Sequence, residues 1–160
     1  MSAKDSAAKV ASRREGIDMP GWTIISNLPP LHFKSVILKR RMPASTPQEV
    51  HTLFVNAFNS GDVEGIVALY EAEAVYASGG VKIRGRESLR EAYTTFVAGG
   101  AQMKLTTRRV IESGDDLAIL WGEWSIGAPA GTAGLSTEVV RRQPDGSWLF
   151  VIDSPYTPPR

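Results

Sequence analysis

The chain has 160 residues, enough for one domain with a sizeable core and too few for two ordinary ones. Its formal charge of +1 and 22% charged residues argue for neither a nucleic-acid nor a membrane partner. The absence of cysteine excludes a disulfide framework and a thiol nucleophile.

No apolar run approaches the roughly 20 residues that span a bilayer, and Lys, Arg, Asp and Glu interrupt the N-terminus where a signal-peptide core would lie. A cytoplasmic location is the expectation. The charge is uneven: residues 1–41 hold eight Lys/Arg against Asp5, Glu15 and Asp18, a net of +5, which leaves −4 for the rest. Residues 1–45 keep no sustained hydrophobic period and read as a basic, largely disordered arm. Lys39-Arg40-Arg41 has no aromatic interleaving or reader motif, so nucleic acid is not the expected partner. Met42, just ahead of the first helix signal, also reads as a natural start, in which case the residues before it are an extension.

From Thr46 the pattern sharpens. Thr46 is a suitable N-cap, Pro47 a suitable first helical residue and Glu49 the far side of a capping box. Val50, Leu53, Phe54, Ala57 and Phe58 then follow one helical face to Gly61, a left-handed stop. Asp62 caps a second helix expected to carry Ile66, Val67, Leu69 and Tyr70 before a strand at Val75-Tyr76-Ala77. Ser78-Gly79-Gly80 marks a hairpin into Val81 to Ile83. A third helix opens at Gly85-Arg86-Glu87-Ser88, with Leu89, Ala92, Tyr93, Phe96 and Val97 on one face and Gly99-Gly100 at its end. Strands are expected at Met103 to Glu112, Leu117 to Ile126, Leu135 to Arg142 and Trp148 to Ser154, with turns at Ser113 to Asp116 and Pro144-Asp145-Gly146. Helices first and antiparallel strands after make this an α+β chain.

The run FNSGDVEGIVALYEAEAVYASGG, followed by GRESLREAY and DGSWLFVIDSPY, resembles the nuclear transport factor 2-like superfamily in its SnoaL-like and ketosteroid-isomerase-like branch. The resemblance covers roughly residues 46–156, leaving 157–160 as a tail. It implies a cone-shaped, cystatin-like fold, a curved mixed sheet wrapped around three N-terminal helices with an apolar cavity at the open end. It also implies a homodimer. In the steroid isomerases a helix tyrosine and a late-strand acid hold the oxyanion, while an aspartate after the first strand moves the proton. By the resemblance, Phe54 stands at the tyrosine, Ser78 at the aspartate and Glu138 at the second acid. Phe54 has no hydroxyl and Ser78 no carboxylate, so steroid isomerisation by that route is not expected.

The candidates for chemistry are charges in apolar strands. Glu138 and Asp153 each interrupt a run that reads as buried, and burial would raise their pKa values toward general acid or base use. Alternatively, Glu138 faces solvent or pairs with Arg108, Arg109 or Arg141, and Asp153 bonds a loop at the strand end. Phe54, Phe58, Tyr76, Ser78, Tyr93, Trp121 and Trp124 are expected to line core or cavity, with Tyr76 and Tyr93 as donors. In the strand from Leu117, the face carrying Ala118, Leu120, Gly122, Trp124 and Ile126 is the cleaner core face. In the last strand, simple alternation sets Trp148, Phe150 and Ile152 against Leu149, Val151 and Asp153. Both faces are apolar there, as if covered by the helices on one side and by a subunit partner or loop on the other. His51, next to the apolar stripe, reads as a surface or boundary residue, and His32 lies in the arm, so no metal triad is expected. The expected function is binding of a small hydrophobic or aromatic molecule, with or without cofactor-independent acid–base catalysis of isomerase, cyclase, dehydratase or hydrolase type. A non-catalytic ligand-binding or dimerisation module is the alternative.

Overall fold

The computed structural model describes residues 42–128 and 131–156. The basic arm, the extension ahead of Met42 and the tail at 157–160 lie outside the described residues. Three helices, α1 (Glu49–Ser60), α2 (Val63–Ala68) and α3 (Arg86–Val97), accompany six strands: β1 (Tyr70–Ser78), β2 (Val81–Arg84), β3 (Met103–Ser113), β4 (Leu117–Ile126), β5 (Thr132–Arg142) and β6 (Trp148–Tyr156). The strands form one sheet in the order β2-β1-β6-β5-β4-β3. It is mixed, because β1 runs parallel to β6 while the other neighbours are antiparallel. The architecture is the expected α+β class. The β1–β2 hairpin is nevertheless part of the main sheet, between α2 and α3, rather than a prelude to it. Among the described residues no helix is long and apolar enough to cross a membrane.

The start of α1 differs from the expected capping box. Gln48 is the N-cap and makes no side-chain cap bond, while the Glu49 carboxylate accepts from Ser45 N at 2.7 Å and Ser45 Oγ at 2.8 Å. The reciprocal box has become a one-sided clasp, because residues 46–48 form a turn, closed by Glu49 N donating to the Thr46 carbonyl at 3.2 Å, and the helix begins only at Glu49. The Asn59-Ser60-Gly61-Asp62 stretch ends one helix, starts another and ties both to the sheet. Asn59 bonds both backbone groups of Met103, donating to its carbonyl at 2.9 Å and accepting from its N–H at 2.7 Å. Gly61 takes φ of 69°, a conformation that costs glycine little, and Asp62 Oδ1 accepts from Gly65 N at 2.9 Å. Helix α2 stops at Ala68, so Tyr70 begins β1 rather than ending the helix. A strand-wide partner in Phe150 outweighs one more helical turn.

The helices and the inner sheet face enclose a core that includes Val50, Phe54, Phe58, Ile66, Tyr70, Leu89, Tyr93, Leu120, Val140 and Phe150. Two irregularities decide which side chains reach it. In β3, Thr107 pairs with Gly122 but Arg109 with Trp121, which leaves Arg108 as an extra residue. In β6, Phe150 pairs with Val140 but Ile152 with Val139, which leaves Val151 as the extra residue. A bulge of this kind reverses the face on which all later residues fall. Simple alternation, which sets Asp153 opposite Phe150, therefore fails: Phe150 and Asp153 are both buried, and Ile152 is 42% exposed. The expected cover on both faces of β6 is absent from the single chain at Ile152. A third irregularity lies in β1, where five residue steps from Tyr70 to Val75 match two in β6. Arg86, at the start of α3, secures that slack by donating from Nε and Nη2 to the Tyr70 carbonyl at 2.8 and 2.5 Å.

Candidate functional site

A cavity of about 210 Å³ opens between the helices and the inner face of the sheet. Phe54 and Phe58 of α1, Tyr76 and Ser78 of β1, and Tyr93 and Phe96 of α3 form one side. Met103, Leu105, Trp124 and Ile126 of β3 and β4 form another, and Ser136, Glu138, Asp153 and Pro155 of β5 and β6 complete it. The wall is mostly aromatic: Tyr93 meets Phe54 edge-on at 5.7 Å and Phe96 at 5.7 Å. Two glycines clear the space. A Cβ on Gly134 would enter the Trp124 indole and the Tyr156 carbonyl, and a Cβ on Gly122 would collide with Ser136 Oγ and lie 2.8 Å from Leu105 Cδ1.

Glu138 and Asp153 sit directly opposite each other on β5 and β6, both on the cavity side and only 3% and 6% exposed. Asp153 Oδ2 accepts a short hydrogen bond from the Tyr70 hydroxyl and a longer one, 3.4 Å, from Tyr93. The two tyrosine hydroxyls are joined at 2.6 Å. Burial pushes the Asp153 carboxyl up to about 7, and the neighbouring Glu138 charge adds to the rise. The Tyr70 bond, the His51 charge and the Tyr93 bond oppose it with smaller effect. Burial first, and the Asp153 charge second, also raise the hydroxyls of Tyr70 and Tyr93 well above the ordinary tyrosine range and that of Tyr76 to a lesser extent. All three hydroxyls therefore keep their protons near neutrality.

On the other side of Glu138 stands His51, 2% exposed. The expectation of a surface or boundary histidine is corrected here. Its Nδ1 is 2.8 Å from Thr107 Oγ1 and its Nε2 is 3.2 Å from Glu138 Oε2. The second approach is close but poorly directed: neither Nε2 nor Oε2 completes a hydrogen bond, and neither does the buried Ser136 Oγ beside them. Three buried polar atoms thus converge next to an apolar cavity without well-formed protein partners. Such groups cost free energy of about 1–3 kcal/mol each when left unsatisfied.

Of the residues singled out from the sequence, Phe54, Phe58, Tyr76, Ser78, Tyr93, Trp124, Glu138 and Asp153 are brought together around this cavity. Trp121 is not. It lies on the outer face of β4, 42% exposed, with the Arg109 guanidinium 5.1 Å from its ring centre. The alternation of β4 dictates this, since Trp121 shares a face with Ile119 and Glu123. The alternative arginine partners of Glu138 are not used either: Arg108 pairs with Glu123 and Arg141 approaches Glu71. Sequence reasoning missed His51, Tyr70, Thr107 and Ser136. For His51 a signal existed, because 51, 54 and 58 are themselves spaced as one helical face. Thr107 and Ser136 carried none, as their roles depend on strand register.

An aromatic cavity with paired carboxylates, set between three helices and a mixed sheet, defines the class. Residues 51–149 match the SnoaL-like domain family, and the chain belongs to it. No curated protein matches the chain. Among solved structures it is similar to an NTF-2 like protein of unknown function from Shewanella oneidensis, at 18% identity and a TM-score of 0.62 over 68% of this chain and 94% of that one. It is also similar to a ketosteroid isomerase-like protein from Erwinia carotovora, at 20% identity and a TM-score of 0.57 over 71% and 94%. A domain of unknown function with a cystatin-like fold from Nostoc punctiforme aligns at 19% identity and a TM-score of 0.61 over 70% and 75%. At these identities the likeness is one of fold.

Proposed function

We propose that the cavity binds a small hydrophobic or aromatic molecule and that Glu138 moves a proton on it without a cofactor, with Asp153 as the group that orients the ligand. The observation that carries this reading is the placement of two carboxylates side by side against an aromatic cavity. His51 and Thr107 hold Glu138 from behind. In the tautomer in which Thr107 Oγ1 donates to Nδ1, the Nε2–H faces the ionised Glu138 carboxylate.

The test is a thermal-shift screen of aromatic ketones, esters and amines. A ligand at about a hundred times its dissociation constant adds roughly 2.7 kcal/mol of stability. Hits are then incubated in deuterium oxide, and exchange at carbon is followed by NMR for the wild type and Glu138→Gln. Exchange lost in the variant, with binding kept, supports the proposal. Equal exchange in both removes Glu138 from the chemistry, and a screen without any stabilising ligand removes the binding reading as well. A non-catalytic binding module is favoured by one specific observation: the cavity positions of Phe54 and Ser78 carry neither hydroxyphenyl nor carboxylate.

We further infer that two copies pair through the outer sheet face. Ile111, Ile119, Val139, Ile152 and Val75 are successive cross-strand partners over five strands, and Ile111, Ile119 and Ile152 are 37–42% exposed. Trp121, Leu135 and Tyr156 extend the patch. Apolar surface gathered in this way favours burial against a like surface.

A further inference from the structure

We propose that the ligand selected by this cavity is a small arylalkylamine, held by its ammonium group between Glu138 and Asp153 with its ring against the aromatic wall. This rests on the reading that the cavity is a ligand site, and it adds the charge and size of the occupant.

The charge argument comes from what surrounds the cavity. Among the described residues none that lines it is a lysine or an arginine, so a carboxylate or phosphate entering it would meet two acidic side chains and no cation from these residues. The titratable groups that face the carboxylate pair are His51 from α1, Tyr70 and Tyr76 from β1 and Tyr93 from α3. From β3 and β4 the neighbours are uncharged. His51 is bonded to Thr107 through Nδ1, and its Nε2 approaches Glu138 Oε2 to 3.2 Å without completing a hydrogen bond. An ammonium group supplies three donors, and Glu138 Oε2 and Ser136 Oγ are buried acceptors without partners. Removing a charge from water is costly unless it is paired and hydrogen-bonded. Here a carboxylate is available to pair with a cation, whereas no lining lysine or arginine among the described residues is available to pair with an anion.

The size argument is independent. About 210 Å³ is below the roughly 300–1,000 Å³ of pockets for drug-sized molecules, which suits one ring and a short chain. The rings of Phe54, Tyr93 and Trp124 line the cavity, and an aromatic face attracts a cation placed over it.

Binding has a proton balance. With Asp153 protonated up to about pH 7, the arriving ammonium pairs with the carboxylate and the carboxyl proton leaves to solvent. No covalent bond changes. The amine itself stays charged throughout, since ordinary alkylamines lose their proton only near about pH 10. Affinity therefore rises with pH toward neutrality and then levels.

The experiment is isothermal titration calorimetry of the full chain with phenethylamine, phenethyl alcohol and hydrocinnamate, at about pH 5.5 and about pH 7.5, in two buffers of different ionisation heat. The expected result is phenethylamine bound roughly tenfold or more tightly than the alcohol, as for a charge-assisted hydrogen bond. Hydrocinnamate should bind weakest. Amine affinity should rise roughly tenfold between the two pH values with release of a proton. Asp153→Asn should bring the amine down to the alcohol and abolish the pH dependence, with an unchanged circular dichroism spectrum. If that variant does not fold, Glu138→Gln should lower amine affinity while leaving the alcohol alone. Alcohol equal to amine, or hydrocinnamate tightest, overturns the charge selection and leaves the cavity a ligand site. No binding of any of the three at millimolar concentration overturns both.

Discussion

Replacing Asp153 with Asn tests the central electrostatic claim without any ligand. In the folded chain the Asp153 carboxyl is raised from 3.8 to about 7, so between those values the native state holds a proton that the unfolded state has released. Stability from this group is greatest below about pH 4 and falls as pH rises, until it levels above about pH 7. Between pH 5 and pH 8 the loss amounts to about 2–3 kcal/mol. Asparagine keeps an oxygen for the Tyr70 hydroxyl and cannot ionise, so Asp153→Asn lacks this slope. The assay is urea denaturation of both proteins at the two pH values. With an m-value of about 1–3 kcal/mol/M, the wild-type midpoint should drop by roughly 1–3 M relative to the variant. Subtracting the variant removes the contribution of groups distant from residue 153 that titrate alike in both proteins. Equal midpoint shifts in the two proteins would refute the buried, protonated Asp153, and a larger shift in the variant would reverse its sign.

Two further substitutions probe the geometry. Gly122→Ala should lower stability by about 1–3 kcal/mol, read as a fall in melting temperature, because the new methyl meets Ser136 Oγ and Leu105 Cδ1; an unchanged melting temperature would mean the β4–β5 contact is looser than described. Ile119→Lys should convert a dimer to a monomer in sedimentation velocity with its circular dichroism spectrum intact, since the charge falls in the middle of the outer apolar row. A variant that sediments like the wild type would remove that face from the interface.

Local signals carried most of the fold. Gly61, Asp62 and the Ser78-Gly79-Gly80 turn each act through their own backbone conformation or a neighbour three residues away, so the end of α1, the start of α2 and the hairpin turn were legible, whereas the start of α1, the end of α2 and the start of β1 were not. The span of β4 was as well, because its alternation is unbroken from Leu117 to Ile126. Trp121 could have been removed from the cavity on the same grounds. Candidate carboxylates at Glu138 and Asp153 stood out as charges in apolar strands.

The chain by itself determined the α+β class, the order of its elements and the presence of two acids in apolar surroundings, because these depend on short-range pattern and composition. Tertiary structure alone decided that the acids meet. The extra residue at Val151 turns Asp153 to the face of Phe150 and sets it beside Glu138, and a bulge has no signature in hydrophobic alternation. Likewise His51, Thr107 and Ser136 lie 29 to 85 positions apart in the chain, and only the packing of α1 on the sheet and the pairing of β3, β4 and β5 bring them to one carboxylate. Partners chosen by sheet register are set by the balance of the whole core, which no single segment encodes.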